Sequence, residues 1–378
     1  MALYFGQYRN REFITMKVEH DFSIKALNTF GVDVKTKTYA EVASIEECIS
    51  VLERYKDEKK LLLGDGSNTL FVQDWPGIII KPIMHGKEII AENENSLQIQ
   101  VGSGEDWDAF VRWCVEQHYG GLENLVLIPG TVGGAVAQNI AAYGQNISDA
   151  LVSVSAINMH TLQEEVLQAR DCAFAYRDSI FKRLWDSKYL ITSAVFELNK
   201  KPETFELHYH ERAGRYGSIM EELQSMGQET IDIQLVMEAV IRQRNKRLPS
   251  VTEYGTCGSF FKNPVVPVEK YKAIAASVAD LQSYPVQNLD YRNKDLSDAA
   301  EQDAYVKIPA GRLLDELGWR GKWRGNVGVH EKHALCVVTN FKASGAEILD
   351  FVSYMREDVH KHYDVDLEME INLIGGKR

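Results

Sequence analysis

Apolar residues recur at helical spacing in four stretches of the chain and alternate or cluster at strand length between them. Ile45, Cys48, Ile49, Leu52 and Tyr55 follow Ser44-x-x-Glu47, a capping box, and predict a helix over Ser44–Tyr55. Trp107, Phe110, Val111, Cys114 and Val115 predict a second over Asp106–His118. Ile233, Val236, Met237, Val240 and Ile241 predict a third over Asp232–Arg247, and the capping box Ser344-x-x-Glu347 opens a last one over Ser344–Tyr363. Strands are predicted at Leu61–Leu63, Thr69–Val72, Ile78–Lys81, Ser96–Val101, Leu151–Asn158 and Leu190–Leu198, with Trp75-Pro76-Gly77 as a turn. The closing VDLEMEINLIG alternates: Val365, Leu367, Met369, Ile371 and Leu373 share one face. Asp366, Glu368, Glu370 and Asn372 share the other, which meets either solvent or a cleft. The polar stretch Gln282–Tyr305 reads as a long loop or insertion. Helices and strands alternate without the rhythm of a barrel, so mixed α+β domains are expected, with the last strand free to return to an N-terminal sheet.

At 378 residues the chain exceeds one ordinary core, and two or three domains are expected. Hydrophobic residues at 45% and charged residues at 25% are those of a soluble globular protein. A net charge of -12 argues against nucleic-acid and anionic-membrane partners, and leaves room for a local basic cleft. The cysteines Cys48, Cys114, Cys172, Cys257 and Cys336 are odd in number, scattered, and without a Cys-x-x-Cys. That suits a reducing cytosol and argues against a disulfide framework or a zinc site, so no metal is expected. No apolar run reaches membrane length. MALYFGQYRNREFIT lacks a secretory pattern, and either an ordered extension or an upstream start before Met16 would account for it.

In LLLGDGSNTLF (Leu61–Phe71) a strand runs into a glycine turn whose amides, with Ser67 and Asn68, could hold an anion. More strand follows rather than a helix, so the dinucleotide fingerprint of Rossmann folds fails its context, and a tight β-turn is the simpler reading. Ile128–Gly144 (IPGTVGGAVAQNIAAYG) is rich in glycine and alanine, which weakens any helix or strand. It suits a flat ligand against bare backbone, or close packing of two backbones. In AFAYRDSIFK (Ala173–Lys182), Arg177 could bind a carboxylate bidentately or pair with Asp178. EYGTCGSFFKNP (Glu253–Pro264) places Cys257 and Ser259 two residues apart with no nucleophile elbow, and leaves nucleophile or proton donor open.

Together and in this order, LNTFGVDV, LGDGSNTLF, GLENLVLIPGTVGGAVAQNIAAYG, FAYRDSIFK, GSFFKNPVV, IPAGRLLDELGWRGK, GVHEKHAL and LEMEINLIG resemble the UDP-N-acetylenolpyruvoylglucosamine reductase (MurB) family. They run from about Asp21 to Gly375, nearly the whole chain. The long segment between YRDSIF and GSFFKNP, with YHERAGRYGSIMEEL, is similar to the type I subclass and its extra substrate-covering segment. The resemblance implies a two-part FAD-binding unit of the vanillyl-alcohol-oxidase (PCMH) type plus a C-terminal α+β substrate-binding domain. The corresponding expected boundaries are 1–16 as an extension, 17–83 with the returning strand 365–378, 84–245, and 246–364. It also implies FAD as bound cofactor, NADPH as co-substrate and UDP-N-acetylglucosamine enolpyruvate as substrate, reduced to UDP-N-acetylmuramate by a cytoplasmic monomer.

By the same matching, Arg177 polarises the substrate carboxylate, Glu370 stands beside the developing enolate, and Ser259 delivers the proton. A glutamate in that place helps only when it is protonated and acts as a donor. Gly64, Asp65, Gly66, Ser67 and Asn68 are implied at the FAD pyrophosphate; Gly130, Thr131, Gly133 and Gly134 at the flavin, with Gln138 and Asn139 near it. Tyr216, with Tyr209 as alternative, is implied to cover the substrate, and Arg247, Asn263, Tyr284 and His333 to touch it. The chain departs from the family in having Arg247, beside Lys246, for a usual lysine, His333 for a common glutamine, and Ala141 for a usual glycine. His333 would bring a pH-dependent charge. Two rivals remain: another FAD-dependent oxidoreductase of the same scaffold, and a non-enzymatic nucleotide-sugar binder.

Overall fold

The computed structural model describes residues 16–182, 188–208, 218–227, 230–286 and 304–376. Helix Ile45–Arg54 starts where expected because Ser44 Oγ accepts from Glu47 N at 3.2 Å and Glu47 Oε2 accepts from Ala43 N at 2.7 Å. It packs Cys48, Val51 and Leu52 on a four-stranded sheet ordered Val18–Ser23, Lys35–Val42, Trp75–Pro82, Lys60–Leu62. The first pair is antiparallel and the other two are parallel.

Trp75-Pro76-Gly77 is not the turn its composition suggests; it lies inside strand Trp75–Pro82. Pairing slips there between Thr36 and Thr38, and Thr36 Oγ1 donates to Gly77 O at 3.0 Å. The Pro-Gly pair therefore forms an irregularity that a strand tolerates where the ladder is broken. Glycine is required, since a Cβ at Gly77 would fall 2.0 Å from Lys59 O.

The second layer is a five-stranded antiparallel sheet, ordered Glu164–Gln168, Leu151–Asn158, Tyr189–Asn199, Ser96–Gly102, Lys87–Glu92. Helices Trp107–Glu116 and Ile233–Arg247 contribute to its core through Trp107, Phe110, Val236 and Val240. The glycine-rich run folds as a helix too, Val132–Gln138, against the expectation of weakened structure. Thr131 Oγ1 caps it by accepting from Gly134 N at 3.2 Å, and buried Val132, Ala135 and Val136 hold it on the sheet.

A third sheet, antiparallel, is ordered Gly255–Ser259, Cys336–Thr339, Val327–Val329, Trp323–Arg324. Helices Ala310–Glu316 and Gly345–Tyr363 share its core. The same cluster includes Phe71, Leu70 and Trp75, so the C-terminal region and the first sheet are packed as one. The closing segment is less regular than its alternation suggests: it bridges Phe261 at Met369 and becomes a strand at Asn372–Ile374. That strand pairs in parallel with Thr69–Phe71. Of the polar stretch, Tyr284–Pro285 and Tyr305–Lys307 join Val265–Pro267 in a small sheet, and 287–303 lie outside the described residues. Among the described residues no helix is long and apolar enough to cross a membrane.

Candidate active site

One cleft of about 1900 Å³ runs between the three layers. Every candidate site residue lines it except Tyr216, which with Tyr209 lies outside the described residues. The glycine turn and the glycine-rich run form one wall together. Ser67 Oγ donates to Pro129 O at 2.9 Å, and Asn68 Nδ2 donates to Gln138 Oε1 at 3.0 Å. A Cβ on Gly64 would meet Thr131 Oγ1 at 2.8 Å, and one on Gly130 would meet Ser67 Oγ at 3.0 Å. Gly66, at φ +62, allows no side chain, because its Cβ would fall 2.1 Å from Leu27 O. Lys81 Nζ holds Asp65 Oδ1 at 2.8 Å on the rim of this turn. Gly134 differs from the others: a Cβ there would meet only Thr131 Oγ1, at 3.4 Å. Asn139, at φ +44, ends the helix and donates from Nδ2 to Ala175 O at 2.8 Å.

Beside this wall three segments far apart in sequence come together. Arg177 stands in a tight turn closed by Ala175 N to Asp178 O and Asp178 N to Ala175 O, both 3.0 Å. Its φ of +55 is a left-handed conformation that costs a non-glycine residue about 1 kcal/mol or more. It pairs with Glu370: Arg177 Nε donates to Glu370 Oε1 at 2.7 Å, and Arg177 Nη2 to Ala141 O at 2.9 Å. Glu370 accepts in this contact. Ala141 serves through its carbonyl, so an alanine in place of glycine keeps the contact.

Ser259 ends strand Gly255–Ser259, whose pairing with Cys336–Thr339 shifts between Thr256 and Ser259. Gly258 sits in that bulge at φ +70 with nothing within 4 Å of its ideal Cβ, and Ser259 after it lines the cleft. The residue after Ser259 ties it to the acid, because Glu370 N donates to Phe260 O at 2.9 Å. Cys257 is withdrawn into the core beside Thr69 O and Thr29, and burial pushes its thiol up to about 12. It has no thiolate to offer at neutral pH.

Asn263 Oδ1 accepts from Ala310 N at 3.0 Å at the start of helix Ala310–Glu316, which fixes its amide at the cleft. Tyr284 Oη donates to Gln282 Oε1 at 2.8 Å. Arg247 lines the cleft while Lys246 pairs with Glu222. His333 is pushed down to about 4, by burial first and then by Arg247. Its ring is therefore neutral through the physiological range, which corrects the expected pH-dependent charge. Nδ1 accepts from Leu335 N at 3.3 Å.

Sequence reading missed two cations of the cleft, Lys182 and Lys307. Burial, then Lys262, lowers Lys182 to about 8, and burial, then Arg177, lowers Lys307. Single lysines carry no spacing signal; only their burial marks them. With Arg177, Arg247 and Arg312 they bring cations into a cleft whose lining also carries carboxylates such as Asp65, Asp108 and Glu370.

Such a cleft fits a large dinucleotide with a second ligand beside it, being larger than an ordinary single-ligand pocket of roughly 300–1,000 Å³. The bare backbone at Gly130 and Gly134 leaves room for a flat ring system against the helix. Comparison with known proteins agrees. A model of an FAD binding domain matches residues 36–161, and a model of the UDP-N-acetylenolpyruvoylglucosamine reductase C-terminal domain matches 250–374. A relative from Flavobacterium johnsoniae named UDP-N-acetylenolpyruvoylglucosamine reductase is 36% identical over 359 residues, 95% of this chain and 100% of the relative. One of the same name from Bacteroides fragilis is 35% identical, covering 94% of this chain and all of its own. The crystal structure of the enzyme of that name (MurB) from Thermus caldophilus has the same fold, with a TM-score of 0.64 at 22% identity over 95% of this chain and 99% of that one. With both halves of its cleft matched and its relatives spanned from end to end, the chain belongs to the UDP-N-acetylenolpyruvoylglucosamine reductase family.

Proposed function

We propose that this protein reduces the enolpyruvyl group of UDP-N-acetylglucosamine enolpyruvate to the lactyl ether of UDP-N-acetylmuramate, using NADPH and a bound FAD. The observation that carries the reading is the meeting of Arg177, Ser259 and Glu370 in one cleft, where Arg177 and Glu370 touch at 2.7 Å and Glu370 N is bonded to the residue after Ser259. Gly64, Asp65, Gly66, Ser67 and Asn68 would hold the FAD phosphates, and Gly130, Thr131, Gly133, Gly134, Gln138 and Asn139 the ring system. When bound, the flavin supplies two electrons and one hydrogen to the terminal methylene carbon of the substrate.

Charge then grows on the neighbouring carbon and spreads into its carboxylate. Arg177, fixed before the substrate arrives, stabilises that charge without having to reorganise. The proton from Ser259 Oγ completes the new C–H bond on the same carbon. Glu370 orients Arg177, and acts as a donor to the enolate once it carries a proton itself. Arg247, Asn263, Tyr284 and the neutral His333 face the nucleotide-sugar. Residues 17–83 with 365–378 and 84–245 serve the cofactor in this reading, and 246–364 the substrate.

Ser259→Ala tests it. NADPH should still bleach the flavin, while turnover with the enolpyruvyl nucleotide-sugar should fall about 10²- to 10⁴-fold, the usual worth of a positioned proton donor. Turnover near wild type would make Ser259 structural and remove the proton donor from the proposal.

A further inference from the structure

We infer that Lys182 is a positioning residue for the reduction, its ammonium holding the carbonyl of Arg177 and so keeping the guanidinium on Glu370 and over the substrate carboxylate. The inference rests on the reaction proposed above. Lys182 Nζ donates to Arg177 O at 2.7 Å. That carbonyl belongs to a residue at φ +55, in a conformation that persists only where its surroundings impose it. The same segment is pinned further by Ser179 Oγ, which donates to Ala137 O at 2.6 Å, and by buried Phe181. Lys182 thus grips the carbonyl of the strained residue itself, while Asn139 Nδ2 holds Ala175 O of the same turn at 2.8 Å.

The ammonium also adds positive potential where an anionic substrate group must lie. It is faced by Lys262 from the segment after Ser259, by Glu370 from the closing segment, and by Asp178 and Arg177 from its own turn. Lys262 is itself paired with Glu368 at 2.8 Å. Lys307, on the small sheet, also interacts electrostatically with Arg177 and lies 4.5 Å from the centre of the Tyr176 ring. Burial, followed by Lys262, brings Lys182 down to about 8. A group lowered in this way is charged below that pH and loses its proton as pH rises through it. A neutral amine grips the carbonyl more weakly and contributes no field.

The experiment reads the two half-reactions separately in the holoenzyme. In wild type, reoxidation of NADPH-reduced flavin by the enolpyruvyl nucleotide-sugar should slow above about pH 8, while reduction of the flavin by NADPH should not share that limb. Lys182→Met should slow reoxidation about ten- to hundredfold at pH 7, the range of a charge-assisted hydrogen bond, and lose the limb. Lys182→Arg keeps the charge, so it should recover part of the rate and move the limb to higher pH. A wild-type reoxidation rate flat from pH 7 to about 9.5 would overturn the inference without any variant, as would Lys182→Met at the wild-type rate. Wild-type flavin that the nucleotide-sugar never reoxidises would instead overturn the proposed reaction.

Discussion

Gly134→Ala separates what the fold needs from what the cofactor needs. In the structure the added methyl meets only Thr131 Oγ1, at 3.4 Å, which is ordinary contact. The Gly134 N–H keeps its bond to Thr131 Oγ1, and φ is helical, so no strain is introduced. Alanine is better than glycine inside a helix by up to about 1 kcal/mol, less near the N-terminus. The apoprotein should therefore be as stable as wild type or melt higher by about 2 °C. The same methyl projects into the cleft where a flat ring would lie. Overpacking of that kind costs about 1–3 kcal/mol, so FAD should bind about five- to hundredfold more weakly. The neighbour Gly133 is the control: its Cβ would fall 2.9 Å from Ser103 Cβ and 3.2 Å from Ser103 O, so Gly133→Ala should destabilise the apoprotein itself. Thermal unfolding of apoprotein and flavin-fluorescence titration read the two effects. Gly134→Ala binding FAD as wild type does would refute the placement of the ring against this helix, and a destabilised apoprotein would refute the geometry.

Three further outcomes follow from the structure. Gly66→Ala should destabilise by at least 3 kcal/mol in urea unfolding, because left-handed backbone costs about 1–2 kcal/mol and the 2.1 Å approach to Leu27 O forces the backbone to move as well. Cys257→Ala should lose about 1–2 kcal/mol from the core yet keep turnover within a fewfold of wild type, since its buried thiol does no chemistry. For His333 the folded state holds the neutral ring and the unfolded chain does not, so stability is complete above about pH 6.5 and falls as pH drops toward about 4. The loss approaches about 3 kcal/mol only below pH 4, and His333→Gln should flatten unfolding free energies measured between pH 7 and 4.5 by about 2 kcal/mol.

Most of the scaffold was legible because periodicity and caps act locally. Asp106, Asp232 and Ser344 cap the three helices whose starts their positions predict. The failures share a cause, which is that tertiary context overrode composition. Glycines that weaken a free helix are tolerated at Val132–Gln138 because three buried side chains and a threonine cap hold it. Pro76 and Gly77 read as a turn alone, and sit in a strand because Thr36 bonds across the break. The closing alternation did show which face is buried, but its strand is short because Met369 and Asn372 find different partners. At the site, Arg177, Ser259 and Glu370 were reachable only through the ordered set of motifs. No local pattern reports a contact between residues 193 apart in sequence. Lys182 was invisible for the complementary reason that a lysine is informative only once it is seen to be buried.

Electrons from the reduced flavin should end in the nucleotide-sugar. The direct measurement is anaerobic: reduce the purified holoenzyme with one equivalent of NADPH, add UDP-N-acetylglucosamine enolpyruvate, and follow the flavin absorbance and the product. Return of the oxidised spectrum with stoichiometric UDP-N-acetylmuramate is the predicted result. A flavin that stays bleached until oxygen is admitted, with the nucleotide-sugar recovered unchanged, would contradict it.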